Sequence, residues 1–145
     1  SSPALAQMLS TMLYGKRFFP YFVWNTLGGL DENGTVDLSL TNRNGCVFSY
    51  DPVGNYEKSK YNCAGSAGHL IQPFLDNQVA EGVLTIRLAK TFTGPAEHSI
   101  DDIKRIIKDA FTSATERDIY TGDFLEIFVI TGNGVTKETF PLKRD

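Results

Sequence analysis

The stretch SIDDIKRIIKDAFTSATERDIYTGDFLEIFVI, residues 99–130, carries the pattern from which the fold class is read. Ser99 stands where a helix needs a cap, with Asp102 three residues on as an acidic variant of the capping box. Ile103, Ile106, Ile107, Ala110, Phe111 and Ala114 then recur at helical spacing, with Lys104, Lys108 and Asp109 off that face. The polar run from Glu116 to Asp123 breaks the helix. Phe124 to Ile130 is apolar on both faces except at Glu126, the pattern of a strand covered on both sides.

Working outward, Gly132-Asn133-Gly134 predicts a turn into a last strand that ends near Leu142. Upstream, Leu84, Ile86 and Leu88 alternate with Thr85 and Arg87, which predicts a short strand. Before it, the small-residue run Ala64-Gly65-Ser66-Ala67-Gly68 leads into a helix with Leu70, Ile71, Phe74 and Leu75 on its apolar side. Pro73 must sit in the early turns of that helix or kink it. Tyr56 to Cys63 is a candidate strand after the turn Asp51-Pro52-Val53-Gly54. Asn44-Gly45 predicts the turn of a hairpin whose arms are Val36 to Leu40, alternating with Asp37 and Ser39, and Cys46 to Tyr50. Residues 18–27, rich in aromatics, predict a strand entering a Gly28-Gly29 turn. At the start, Ser2 caps a helix with Pro3 at its first position; Leu5, Met8, Leu9, Met12 and Leu13 form its apolar face, and Gly15 ends it. Three helices and six or seven strands, with two helices in succession late in the chain, predict an α+β fold in a single domain over residues 1–145.

The 145 residues are 41% hydrophobic and 21% charged, enough apolar matter for a core. Fourteen Lys and Arg against 17 Asp and Glu give a formal net charge of −3. Nothing in that balance, and no basic run, favours nucleic acid as a partner. The longest apolar stretch contains Pro20 and falls far short of the roughly 20 residues of a membrane helix, and the chain opens on no signal peptide. A soluble, intracellular globular protein is expected. Cys46 and Cys63 allow at most one bridge and are read as reduced thiols acting as small apolar side chains. With His69 and His98 they are the only soft ligands, and no pair has zinc spacing, so no metal and no cofactor is expected.

Ser66, between a strand and a helix and flanked by small residues, is similar to a nucleophile elbow, with Ala64 where the usual motif has Gly. Asp76 and His98 are the downstream acid and base that a small autonomous serine hydrolase would need. The opposing reading has Ser66 capping the following helix, and the absence of a parallel βαβ rhythm favours it. Asn33-Gly34-Thr35 is formally a glycosylation sequon but reads as a hairpin turn.

Several motifs in order resemble a known family. They are Met8-Leu9-Ser10-Thr11-Met12-Leu13-Tyr14, Arg17-Phe18-Phe19-Pro20-Tyr21 and Gly28-Gly29-Leu30-Asp31-Glu32. With them go Tyr50-Asp51-Pro52-Val53-Gly54, residues 72–79 (QPFLDNQV) and residues 116–123 (ERDIYTGD). Together they resemble the proteasome β subunits, most closely the beta type-1 branch at the beta-6 position of the ring. Two segments, residues 36–45 and 80–97, look longer than the family's usual connections.

The resemblance implies the C-terminal part of an Ntn-hydrolase-type four-layer αββα sandwich. Family members have an N-terminal half with the first strands, the first long helix and, in active subunits, a threonine nucleophile. This chain starts at what resembles the second helix, and Ser1 matches neither that threonine nor the first strand. Ser66, Asp118 and Thr121 match supporting positions of active subunits, in the glycine-rich turn and the R-D-x-x-S/T-G element. The beta type-1 branch is non-catalytic. The implied role is therefore a structural subunit of the 20S core particle, with no catalytic residue of its own. It would build the β ring with other α and β subunits in a 28-subunit hetero-oligomer, in ATP- and ubiquitin-dependent protein degradation in cytoplasm and nucleus. Unfolded polypeptides would be indirect substrates, and Asp51, Pro52 and Val53 would help shape the S3 pocket of a neighbouring active subunit. An adaptor of the same fold outside the proteasome is the remaining alternative.

Overall fold

The run SPALAQMLSTMLY forms α1 (Ser2–Tyr14) in the computed structural model, which describes residues 2–31, 44–79 and 99–144. Gly15 closes the helix, its N–H donating to the Thr11 carbonyl at 3.1 Å. The expected face turns inward only in part. Ala6 (0% exposed), Leu13 (4%) and the partly buried Leu9 face the core, while Leu5, Met8 and Met12 remain 51%, 54% and 61% exposed. On the buried side the Tyr50 hydroxyl donates to the Ala6 carbonyl at 2.7 Å. Ser2 does not cap either. Its hydroxyl donates to the Leu30 carbonyl at 2.7 Å instead.

The helix lies on an antiparallel sheet of three strands in the order β1 (Thr26–Asp31), β2 (Asn44–Tyr50), β3 (Tyr56–Ser59). Leu27 pairs with Phe48 and Gly29 with Cys46, and Tyr50 pairs with Tyr56. Cys46, Phe48 and Tyr50 thus share one face of β2, and with Ala6 and Leu13 they form the core beneath the helix. Burying a side chain such as Phe48 or Leu13 contributes about 1.5–3 kcal/mol. Tyr56 stacks on Tyr50 with ring centroids 5.3 Å apart and meets Phe48 edge-on.

Three expectations need correction here. Residues 18–25 form no strand: Pro20 has no N–H to give a ladder, and Phe22 adopts a left-handed φ of 52°. Gly28-Gly29 is not a turn but lies inside β1. Gly29 has no Cβ because one would stand 2.6 Å from Ser2 Oγ, so the glycine is where the helix start meets the sheet. Asn44 and Gly45 likewise open β2, paired with Asp31 and Leu30, instead of turning the chain. β3 stops at Ser59, four residues short of Cys63. The strands expected at 36–40 and 84–88, and the sequon at Asn33, lie outside the described residues.

Downstream come α2 (Gly68–Val79) and α3 (Ile100–Thr115), packed against each other. Pro73 is the sixth residue of α2, just past the first turn, so the helix forgoes one backbone bond. Ser99 caps α3 as expected: its Oγ accepts the Asp102 N–H at 3.1 Å and donates to the Asp102 carboxylate at 2.8 Å, worth about 1 kcal/mol. Ile106, Ala110 and Ala114 are the buried line of α3.

β4 (Phe124–Thr131) and β5 (Gly134–Pro141) pair through the two-residue connection Gly132-Asn133, the expected hairpin. β4 is not covered on both faces: Leu125 and Ile127 are buried, but Phe124, Phe128 and Ile130 are not. The chain divides into two compact units, one of residues 1–65 with 128–137 and one of residues 66–127 with 138–145. In the second, Lys104 pairs with Glu138, and Lys143 pairs with Glu116 at 3.3 Å. Lys108 Nζ lies 3.5 Å from the centroid of the Phe140 ring. Eight elements in the order α-β-β-β-α-α-β-β among the described residues make this a mixed helix-and-strand fold.

Candidate functional site

The helix α3 ends at Thr115, and the carbonyl of Ala114 in its last turn accepts the N–H groups of Arg117 and Asp118 at 3.0 and 2.9 Å. That winding presents the Asp118 side chain to two hydroxyls. Ser66 Oγ and Thr121 Oγ1 each donate to Asp118 Oδ2 at 2.6 Å, and the Tyr120 N–H donates to Oδ1 at 3.2 Å. Ser66 comes from the segment just before α2 and Thr121 from the turn after α3, so one carboxylate ties the two together. The structure therefore gathers Ser66, Asp118 and Thr121 into one cluster.

The hydrogen bond from Ser66 holds the Asp118 carboxyl below its ordinary range, followed by that from Thr121. Partial burial opposes them, and the Tyr120 N–H and the charge of His69 add to the lowering. Asp118 is thus ionised at neutral pH and acts as a fixed acceptor. A base that activates a serine needs a pKa near the working pH, and Asp118 is held far below it. In this arrangement the Ser66 hydroxyl hydrogen is directed at the Asp118 carboxylate.

The helix cap expected of Ser66 is not made. Ala67 precedes α2 and its carbonyl accepts the Leu70 and Ile71 N–H groups at 3.0 Å each. Of the serine-hydrolase set, Asp76 Oδ1 accepts from Gln72 Nε2 at 3.1 Å within α2. His98 lies outside the described residues, as does Ser1. His69, one residue into α2, was missed as a neighbour of Asp118. Its place three residues after Ser66 on a helix start is the signal that was available.

The second cluster is the turn at Asp51. Oδ1 accepts the Val53 and Asn55 N–H groups at 3.0 and 2.9 Å, and Oδ2 accepts from Asn55 Nδ2 at 2.6 Å. The backbone closes around it: the Asp51 N–H donates to the Asn55 carbonyl at 3.0 Å, and the Gly54 N–H to the Asp51 carbonyl at 3.3 Å. Burial pushes the Asp51 carboxyl up, but the donors from Asn55, Val53 and Gly54 together outweigh it and leave it below its ordinary value. A carboxylate offers about four lone pairs. Three are engaged, so at most one is left for any other group. Asp51 is an Asx-turn residue, and Asn55 is the partner that sequence reading overlooked, although an Asp and an Asn four apart around Pro52-Val53-Gly54 signal it.

Gly54 seats this turn on α1. Its φ is +95°, the Ser10 hydroxyl donates to its carbonyl at 2.7 Å, and a Cβ there would stand 2.5 Å from the Ser10 carbonyl oxygen. Pro52 and Val53 are half-buried. Beside the turn, a concavity of about 360 Å³ is lined by Ser49, Tyr50, Asp51, Asn55, Tyr56 and Glu57.

Among the described residues no three His, Cys, Asp or Glu side chains gather to hold a metal ion, and no helix is long and apolar enough to cross a membrane. Cys46 and Cys63 form no disulfide with each other. Cys46 is buried and its Sγ lies 3.5 Å from the Gly29 carbonyl.

A protein-family model described as "Proteasome subunit" matches residues 1–130. Among curated proteins, the chain is 47% identical over 146 residues to "Proteasome subunit beta type-1" of Arabidopsis thaliana, covering all of this chain and 60% of that protein. It is 44% identical over 149 residues to "Proteasome subunit beta type-1-B" of Carassius auratus, covering all of this chain and 55% of the relative. Against "Proteasome subunit beta type-6" of Saccharomyces cerevisiae the identity is 43% over 146 residues, covering 97% of this chain and 55% of the yeast protein. The chain spans little more than half the length of these relatives.

Proposed function

Because this chain belongs to the proteasome subunit family, we propose that it serves as a non-catalytic, structural β subunit of the 20S proteasome core particle. The observation that carries the reading is the match of the whole chain, at 44–47% identity, to proteins named beta type-1 in a plant and a fish. In this reading the chain is the C-terminal part of a four-layer αββα sandwich. It builds the β ring beside other α and β subunits in a 28-subunit particle, in cytoplasm and nucleus, and takes part in ubiquitin-dependent protein degradation.

The non-catalytic part of the proposal is supported by the chemistry at Ser66. Its hydroxyl and that of Thr121 both donate to an ionised Asp118. The Asp51 turn contributes to a neighbouring subunit's cleft through its shape, fixed by Pro52, Val53 and Gly54, and through the charge of the Asp51 carboxylate.

The deciding experiment is co-purification. The tagged chain, expressed in eukaryotic cells, is expected to elute with proteasome α and β subunits in a particle of core size by native mass spectrometry. A well-folded monomer bound to none of them would overturn the proposal. Peptidase activity of that monomer, lost in Ser66→Ala, would replace it with the hydrolase reading.

A further inference from the structure

We draw no further inference here: the strongest candidate, the groove on the face of the three-stranded sheet turned away from α1, floored by Gly28 and Gly45 and walled by Phe128 and Ile130, is an unpartnered apolar face, and nothing in the structure shows what covers it.

Discussion

Replacing Gly54 by alanine tests the joint on which the first unit depends, the seat of the Asp51 turn on α1. Three costs add. An L-residue held at a φ of +95° costs roughly 1–2 kcal/mol relative to glycine. The new methyl would lie 2.5 Å from the Ser10 carbonyl oxygen, 3.1 Å from the Tyr14 nitrogen and 3.2 Å from Leu13 Cβ. Two of those atoms are helix backbone and cannot swing aside, so turn and helix must separate, at about 1–3 kcal/mol for overpacking. Separation also breaks the Ser10 hydroxyl bond to the Gly54 carbonyl, worth about 1 kcal/mol. The expected loss is about 3–6 kcal/mol, a large part of the roughly 5–15 kcal/mol that a domain has in total.

Two other glycines separate these costs. Gly65 has a φ of +104° with nothing within 4 Å of where a methyl would stand, so Gly65→Ala isolates the backbone strain at about 1–2 kcal/mol. Gly45 has open space and lies inside β2 without a left-handed φ, so Gly45→Ala is expected to be neutral or to stabilise by up to about 1 kcal/mol. Urea unfolding followed by far-UV circular dichroism reads all three. With a slope of about 2 kcal/mol per molar, Gly54→Ala should lower the midpoint by about 2 M. If Gly54→Ala costs no more than Gly65→Ala, the close approach of turn and helix is wrong.

Other outcomes follow from the same contacts. Tyr50→Phe keeps the ring packing but loses the bond to Ala6, and is expected to cost about 1 kcal/mol in the same urea assay; a cost near zero would remove that bond from the account. Burial, then the neighbouring Tyr56, raises the Tyr50 phenol, so its contribution is full below about pH 10 and is lost as pH rises through the folded-state value. Tyr50→Phe should flatten that alkaline limb. Asp118 is shifted the other way, so its contribution is present above about pH 3.9 and is lost as pH falls through the lower folded-state value. Asp118→Asn should flatten the acid limb of stability against pH, and an unchanged limb would count against the Ser66–Asp118–Thr121 cluster. In the assembled particle, Asp51→Asn should alter a neighbouring active subunit's preference for substrates with polar P3 groups while the ring still assembles. An unchanged preference would leave Asp51 a turn residue alone.

How far the sequence could be read depended on whether a pattern had one physical solution. The Ser99 cap did, because a serine before an apolar helical run accepts an orphan helix N–H, and an acid three residues later takes the serine's own hydroxyl hydrogen. The Gly132-Asn133 turn did too. Helix α1 did not. Periodicity gives the face Leu5, Met8, Leu9, Met12 and Leu13, of which Leu9 and Leu13 turn inward, while Ala6 takes the place of the larger Leu5, Met8 and Met12. At Ala6 the contact is made by Tyr50, 44 residues away, whose hydroxyl donates to the helix backbone there. Gly29 failed for a similar reason: a glycine pair looks like a turn until Ser2, from another element, is seen to occupy the missing Cβ. The site residues Ser66, Asp118 and Thr121 were found through their motifs. Spacing alone gave no sign that residues 66 and 118 would touch.

The two aspartates that attracted functional readings share a structural logic that bears on what each can do. Each accepts from several donors, each is held below its ordinary pKa, and each sits in a turn beside a helix end. A carboxylate used in this way is a hub that fixes the chain around it. For Asp118 the consequence is that the Ser66 and Thr121 hydroxyls are both oriented toward one carboxylate. For Asp51 it is that replacement by alanine would remove three hydrogen bonds from the turn before it removed anything from a neighbour's cleft. Asparagine, which keeps an acceptor oxygen for the Val53 and Asn55 N–H groups, is therefore the substitution that separates a charge offered to a substrate from the shape of the turn that carries it.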